Sequence, residues 1–197
     1  MSQDRRIDPK TFRSATILVA ESNRATRQAL RNVLLGMGFP SIMLTGNSGE
    51  TMRQLMLDPP SVLLLDHKLP GGDGLMLVRR LRRDSGELGR IPIILMIEAP
   101  EAALVIAARD AGVNEIVIKP PAVEALVRRL MSVLKEPRPF VRVKGFIGPD
   151  RRRLIERRRG DRRFIELEPE DIPGNSDRRK GGGRRTGKDR RSKANPA

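Results

Sequence analysis

The chain has 197 residues, more than one average domain needs and hardly enough for two with full cores, so one domain with an appendage is expected. Its formal net charge is +15, and residues 137–197 alone, with 20 Lys or Arg against 9 Asp or Glu, carry +11 of it; this asymmetry points to an anionic partner such as a nucleotide, nucleic acid or lipid headgroup. The absence of cysteine excludes a disulfide framework and a thiolate metal site.

Residues 1–13 are too polar for a signal peptide and are expected to be disordered, and no apolar run approaches the ~20 residues that span a bilayer. A cytoplasmic protein without membrane insertion is expected. From Ala15 onward short apolar, β-branched runs recur: ATILVA from Ala15, SIMLTG from Ser41, SVLLLD from Ser61, IPIILMI from Ile91 and EIVIK from Glu115. They predict doubly buried strands of a parallel sheet. Segments of helical spacing lie between and after them, the clearest being Val123, Leu126, Val127, Leu130 and Leu134. Asn47 with Glu50 predicts a capping box, Gly112 a helix stop, and Pro100 and Pro121 first-turn prolines. Five strands alternating with five helices over residues 14–136 define an open α/β sheet that binds ligands at the carboxyl ends of its strands.

Those ends carry Glu21 and Ser22, Asp66, Ile97 and Glu98, and Lys119. LLLDHKLPGGDG from Leu63, AGVNEIVIKP from Ala111 and TILVAESNRATRQALRNVLLGMGF from Thr16 together resemble the receiver domains of response regulators in two-component signalling. The resemblance implies a CheY-like, flavodoxin-like doubly wound sheet, with Asp66 on the phospho-acceptor, Lys119 on the lysine that pairs with it and a cis bond before Pro120. It also exposes departures. The family's second acid after strand 1 is replaced by Ser22, leaving Glu21 with Asp66 as a weak Mg²⁺ pair. The hydroxyl that reads the phosphate falls on Ile97, which has no donor, and the aromatic switch position falls on Ile116. Asp66 and Lys119 are thus open to two readings, a retained structural ion pair or a working phosphorylation switch. His67, the one histidine of the chain, is expected to be solvated. No nucleophile with a nearby base, phosphate-binding Gly-rich loop or metal-ligand cluster is legible, so no enzymatic activity is expected.

After Leu134, KEPRP ends the last helix. Residues 137–149 are expected to form a docking or linker segment, with FVRVKGFIGP making one extended stretch that packs through Val141, Val143 and Phe146. Residues 150–197 form an arginine-rich tail whose sole aromatic residue is Phe164; it buries too little apolar surface to offset its ordering entropy and is expected to be disordered without a ligand.

Asp-Arg-Arg occurs four times in that tail. Asp150 precedes Arg151, Arg152 and Arg153; Asp161 follows Arg158 and precedes Arg162 and Arg163; Asp177 precedes Arg178 and Arg179, with Arg184 and Arg185 beyond; Asp189 precedes Arg190 and Arg191. A solvated charge run needs no aspartates, and a nucleic-acid binder would be hindered by them. A guanine base explains both residue types: arginine bonds O6 and N7 or clamps phosphate, while a carboxylate accepts from N1 and N2. Cyclic di-GMP, with two guanines and two phosphates, suits repeated units. Composition and repeat together resemble the CheY-like cyclic di-GMP effectors (Cle-type) of alphaproteobacteria. That resemblance implies dinucleotide binding by the tail, a protein partner at the flagellar motor switch, roles in chemotaxis and motility, and recruitment to the flagellated pole. The alternatives are a stand-alone phospho-receiver with a localising tail and a receiver coupled to nucleic acid; oligomeric state is not legible.

Overall fold

The computed structural model describes residues 14–135, 137–143 and 146–150. Five strands, β1 (Thr16–Ala20), β2 (Ser41–Thr45), β3 (Val62–Asp66), β4 (Ile93–Ile97) and β5 (Glu115–Ile118), form one sheet in the order β2-β1-β3-β4-β5. All neighbouring pairs are parallel. Helices α1 (Arg24–Gly36), α2 (Ser48–Leu57), α3 (Gly74–Arg83), α4 (Ala102–Ala111) and α5 (Val123–Lys135) supply the crossovers. This is the expected CheY-like fold.

The period-2 alternation of the strands sorts their side chains onto two faces. Ile17, Val19, Leu64, Ile94, Met96 and Val117 meet Leu30 and Leu34 of α1 and Leu126, Leu130 and Val133 of α5. Leu18, Leu63, Leu65, Ile93, Leu95 and Ile97 meet Leu55 of α2, Leu75, Val78 and Leu81 of α3, and Ala108 and Ala111 of α4. Only β3 and β4 are buried along their whole length. The expectation of five doubly buried strands fails for β2 and β5, which are edge strands with partly exposed residues.

The local signals act mostly as their chemistry predicts. Asn47 accepts the Glu50 amide at 2.9 Å, and the Glu50 carboxylate reaches back to accept from the Gly46 amide at 2.9 Å. Gly112 ends α4 in the left-handed region at φ 92°. Pro100 and Pro121 lie outside the helices they precede, which start at Ala102 and Val123, so neither is a first-turn proline.

The segment after α5 is not the single extended stretch expected. Phe140–Val143 (β6) and Phe146–Pro149 (β7) pair antiparallel, with Phe140 opposite Pro149 and Val143 opposite Phe146. Phe140 lies over the Arg82 guanidinium at 4.8 Å, Gly148 is buried against Gly112, and the Arg142 guanidinium reaches the Asp84 carbonyl. The docking of this segment includes Phe140, Arg142 and the glycine of β7. Asp84, Gly89 and Gly112 all precede the starts of β4 or β5, so the hairpin sits at the amino end of the sheet, opposite Asp66.

Candidate functional site

The first strand delivers Glu21 to the carboxyl edge, β3 delivers Asp66, and the β5–α5 loop delivers Lys119. Both carboxylates are 1% exposed. The Lys119 ammonium donates to Asp66 Oδ1 at 2.9 Å and to Glu21 Oε2 at 3.2 Å, so three residues far apart in sequence form one ion cluster. Backbone donors complete it: the Lys68 amide bonds Asp66 Oδ1 at 3.1 Å and the Asn23 amide bonds Glu21 Oε1 at 2.9 Å. Partial burial works to lower the Lys119 pKa, but the hydrogen bond and charge of Asp66, then those of Glu21, outweigh it and hold the pKa above its ordinary value. The Lys119–Pro120 peptide is cis, as the resemblance implies.

The loop after Asp66 folds back because Gly74 leaves space. A Cβ there would stand 2.5 Å from the Asp66 carbonyl and 2.9 Å from the His67 Cα, a contact only glycine permits. Asp73 caps α3 through its bond from the Leu75 amide at 3.0 Å.

The departures read from sequence occupy the expected places. Ser22 is exposed, and its hydroxyl stands 3.4 Å from Glu21 Oε1. Ile97 is fully buried in the core and offers only its backbone, whose carbonyl accepts from the Lys119 amide at 2.7 Å. Ile116 packs partly buried on the α2–α4 side. Two observations were not legible. His67 is not solvated: its ring is 13% exposed, with Nδ1 3.2 Å from the Met96 carbonyl and 3.6 Å from Asp66 Oδ1. Beside it Lys68 and Glu98 pair across the mouth of the site, and the Lys68 hydrogen bond and charge hold the Glu98 carboxyl below its usual range.

Among the described residues no three His, Cys, Asp or Glu side chains are grouped to hold a metal. Glu21 and Asp66 are two hard oxygen donors, within the one or two carboxylates Mg²⁺ usually takes from protein, and the single Lys119 ammonium that bridges them offsets only one of their two charges.

A buried arginine escaped the sequence reading. Arg82, 3% exposed, donates through Nε to the Gly112 carbonyl, through Nη1 to the carbonyls of Gly89 and Ile91, and through Nη2 to Asn114 Oδ1, all at 2.9–3.0 Å. Burial pushes its pKa down to about 9, and these four acceptors keep it protonated at neutral pH. Its signal was present: Arg82 follows Leu75 by seven residues and Val78 by four, which places it on the apolar stripe of α3 despite its neighbours Arg79, Arg80 and Arg83.

The first Asp-Arg-Arg begins at Asp150, whose amide donates to the Pro139 carbonyl at 2.8 Å. The rest of the expected nucleotide site, Arg151 through Arg191, lies outside the described residues, as do residues 1–13.

A sheet in this order with an aspartate–lysine pair at its carboxyl edge defines a receiver. The family model of the response regulator receiver domain matches residues 17–131, more than half of the chain, and the chain belongs to that family. Response regulators named MprA from Mycobacterium bovis and Mycobacterium tuberculosis are 32% identical over 126 residues, 64% of this chain and 53% of theirs. The chain thus spans about half the length of these curated relatives. A Chloroflexus aurantiacus structure described as a response regulator aligns with TM-score 0.57 and 28% identity, covering 62% of this chain and 98% of that one. The receiver domain of a Pseudomonas aeruginosa sensor histidine kinase, solved with a magnesium ion coordinated in its active-site cleft, aligns with TM-score 0.57 and 23% identity over 62% of this chain and 98% of its own, a likeness of fold alone. Receiver domains are in general signalling rather than enzymatic domains, and no enzymatic family is indicated. Among the described residues no helix is long and apolar enough to cross a membrane.

Proposed function

We propose that the chain is a non-enzymatic signalling adaptor that binds cyclic di-GMP through the Asp-Arg-Arg repeats of its tail and transmits this to a protein partner, the flagellar motor switch. The observation that carries the reading is the fourfold Asp-Arg-Arg, an acid-base pattern matched to a guanine edge and unhelpful to a phosphate backbone. The acceptor site supports it: without a second acid at Ser22 or a hydroxyl at Ile97, an input through the tail relaxes the demand on Asp66. Ile106 on α4, Ile118 on β5 and Val123 on α5 are exposed large apolar residues on neighbouring elements along the β5 edge, a surface suited to the partner. Ordering of the tail by its ligand would act as the switch, with recruitment to the flagellated pole as its outcome.

Calorimetric titration of cyclic di-GMP into the full chain and into one ending at Glu136 tests the reading. Binding by the full chain alone supports it, and no heat from either rejects it. Asp177→Ala or Asp189→Ala should then weaken binding although each raises the positive charge; stronger binding would mark the tail as a general polyanion binder, nucleic acid included.

A second reading, a phospho-receiver that the tail merely localises, is favoured by the intact Asp66–Lys119 contact. In it Glu21 and Asp66 hold Mg²⁺, with water and phosphoryl oxygens completing the shell.

A further inference from the structure

Helix α3 carries a basic face that the receiver chemistry leaves unused. Met76, Arg79, Arg80 and Arg83 are all exposed, and their i, i+3, i+4, i+7 spacing sets them on one stripe about two turns long. Leu75, Leu77, Val78, Leu81 and Arg82 hold the opposite face in the core. None of the ten residues of α3 is acidic. The flanking acids have backbone partners: Asp73 accepts the Leu75 amide and Asp84 the Gly86 amide. All three cations of the stripe are arginines, whose planar forks match carboxylates in a way that lysine does not.

The stripe leads to a recess. Asp84, the residue after α3, lines a cleft of about 220 Å³ with Arg90 and Arg142, and Phe140, Val141 and Ile147 of the hairpin give it apolar walls. Pockets for whole drug-sized ligands run to roughly 300–1,000 Å³, so this one has room for a single large side chain. The Arg142 guanidinium reaches the Asp84 carbonyl, and Phe140 lies over Arg82 of α3, so the hairpin wall is fastened to the helix that bears the stripe. Arg90 and Arg142 are exposed like the arginines of α3, and the carboxylates that accompany them are Asp84 and Glu87.

We propose that the outer face of α3 and this cleft dock a short acidic segment of a protein partner, with its carboxylates on the arginine stripe and one apolar side chain in the cleft. Arginine bonds carboxylates bidentately, and arginine and methionine are enriched at protein interfaces where lysine is depleted. Two turns of helix and one recess cover less than a standard interface between folded proteins, which suits a peptide segment. A nucleic-acid backbone has nothing to offer Met76 or the apolar walls and is repelled by Asp84 and Glu87. A lipid surface has no side chain to place in a recess. The docking surface draws on no residue of the tail, so the inference stands whether or not the nucleotide reading holds.

The test records amide NMR spectra of the full chain with a short capped peptide of glutamates around one central leucine, with the same peptide carrying alanine in place of the leucine, and with duplex DNA and phosphatidylglycerol vesicles. The basic tail takes any of these probes by charge alone, so affinity is read only from the resonances of α3 and the cleft. The leucine peptide should shift Arg79, Arg80, Arg83, Gly86 and Gly89 and reach saturation. The alanine peptide, and the leucine peptide on R80Q/R83Q, should each bind there about tenfold more weakly, whereas R53Q/R128Q should lose less than twofold. That control removes equal charge from exposed arginines on α2 and α5; all four side chains are exposed, so thermal melts should coincide. No shift at α3, equal weakening of the two variants, or equal affinity for the two peptides would each overturn the proposal. Tighter binding of DNA or vesicles at the same resonances would overturn it in favour of a polyanion or a lipid surface.

Discussion

Gly148 of β7 rests on Gly112 at the end of α4 so closely that a Cβ on Gly148 would stand 2.8 Å from the Gly112 Cα. Two glycines, one from the receiver and one from the hairpin, let the backbones approach where any side chain would separate them. Gly148→Ala should therefore release β6 and β7 while the receiver keeps its melting temperature within a few degrees. Hydrogen exchange should show at least a tenfold loss of protection confined to Phe140–Pro149. Gly112→Ala should cost more, about 1–3 kcal/mol, because alanine there also meets the left-handed backbone and the Ile147 carbonyl, at 2.6 Å.

Arg82 joins the starts of β4 and β5 to the end of α3 and carries Phe140 on its face. Arg82→Met should destabilise the chain by about 3 kcal/mol in urea, since it leaves buried carbonyls of Gly89, Ile91 and Gly112 without their donor. Loss of hairpin protection should accompany the loss of stability.

The Lys119 cluster sets a pH dependence. Its pKa is raised in the folded state, so its stabilisation is fully present below the unfolded lysine value of about 10.4 and is lost as pH rises through the folded value. Lys119→Gln should be less stable by about 2 kcal/mol at pH 7, because Glu21 and Asp66 then face each other without a cation. The gap from the unsubstituted protein should narrow at pH 11. Arg82, whose lowered value acts in the opposite sense above pH 9, is common to both proteins and drops out of the difference.

Gly74→Ala should damage the acceptor loop and the fold together, by about 1–3 kcal/mol, since its Cβ would press on the backbone of Asp66 and His67 rather than on a side chain that can move. A crystal structure of the variant should show the Asp66 carbonyl displaced.

Restoring the missing groups tests the acceptor site directly. Ser22→Asp with Ile97→Thr should give a fluoroberyllate- and Mg²⁺-dependent change in amide spectra around Asp66 that is weak or absent in the unsubstituted chain. An equally strong response in the unsubstituted chain would favour the phospho-receiver reading.

The strands and the acceptor pair were legible because each depends on local pattern: apolar runs for β3 and β4, and short motifs ending at Asp66 and Lys119. The hairpin was not, because its position is decided by Gly112, Arg82 and Phe140, which lie up to 58 residues apart and carry no shared spacing. Arg82 was hidden among exposed arginines, and His67 among loop residues, since hydropathy cannot show that a polar side chain has its acceptors waiting in the core. The exposed residues of β2 and β5 follow from strand order, which fixes the edges and is not a property of either segment.

Arg138, between α5 and β6, is bound to Glu115 at 3.0 Å, and Glu115 is held in turn by Ser132 and Arg129. The connection from Lys135 to Phe140 is therefore both brief and fastened, which keeps the hairpin at a high effective concentration beside its receptor surface. Docking in cis is nearly free of chain-closure entropy, whereas a peptide of the same sequence supplied separately would have to surrender its translational freedom and should bind only at high concentration.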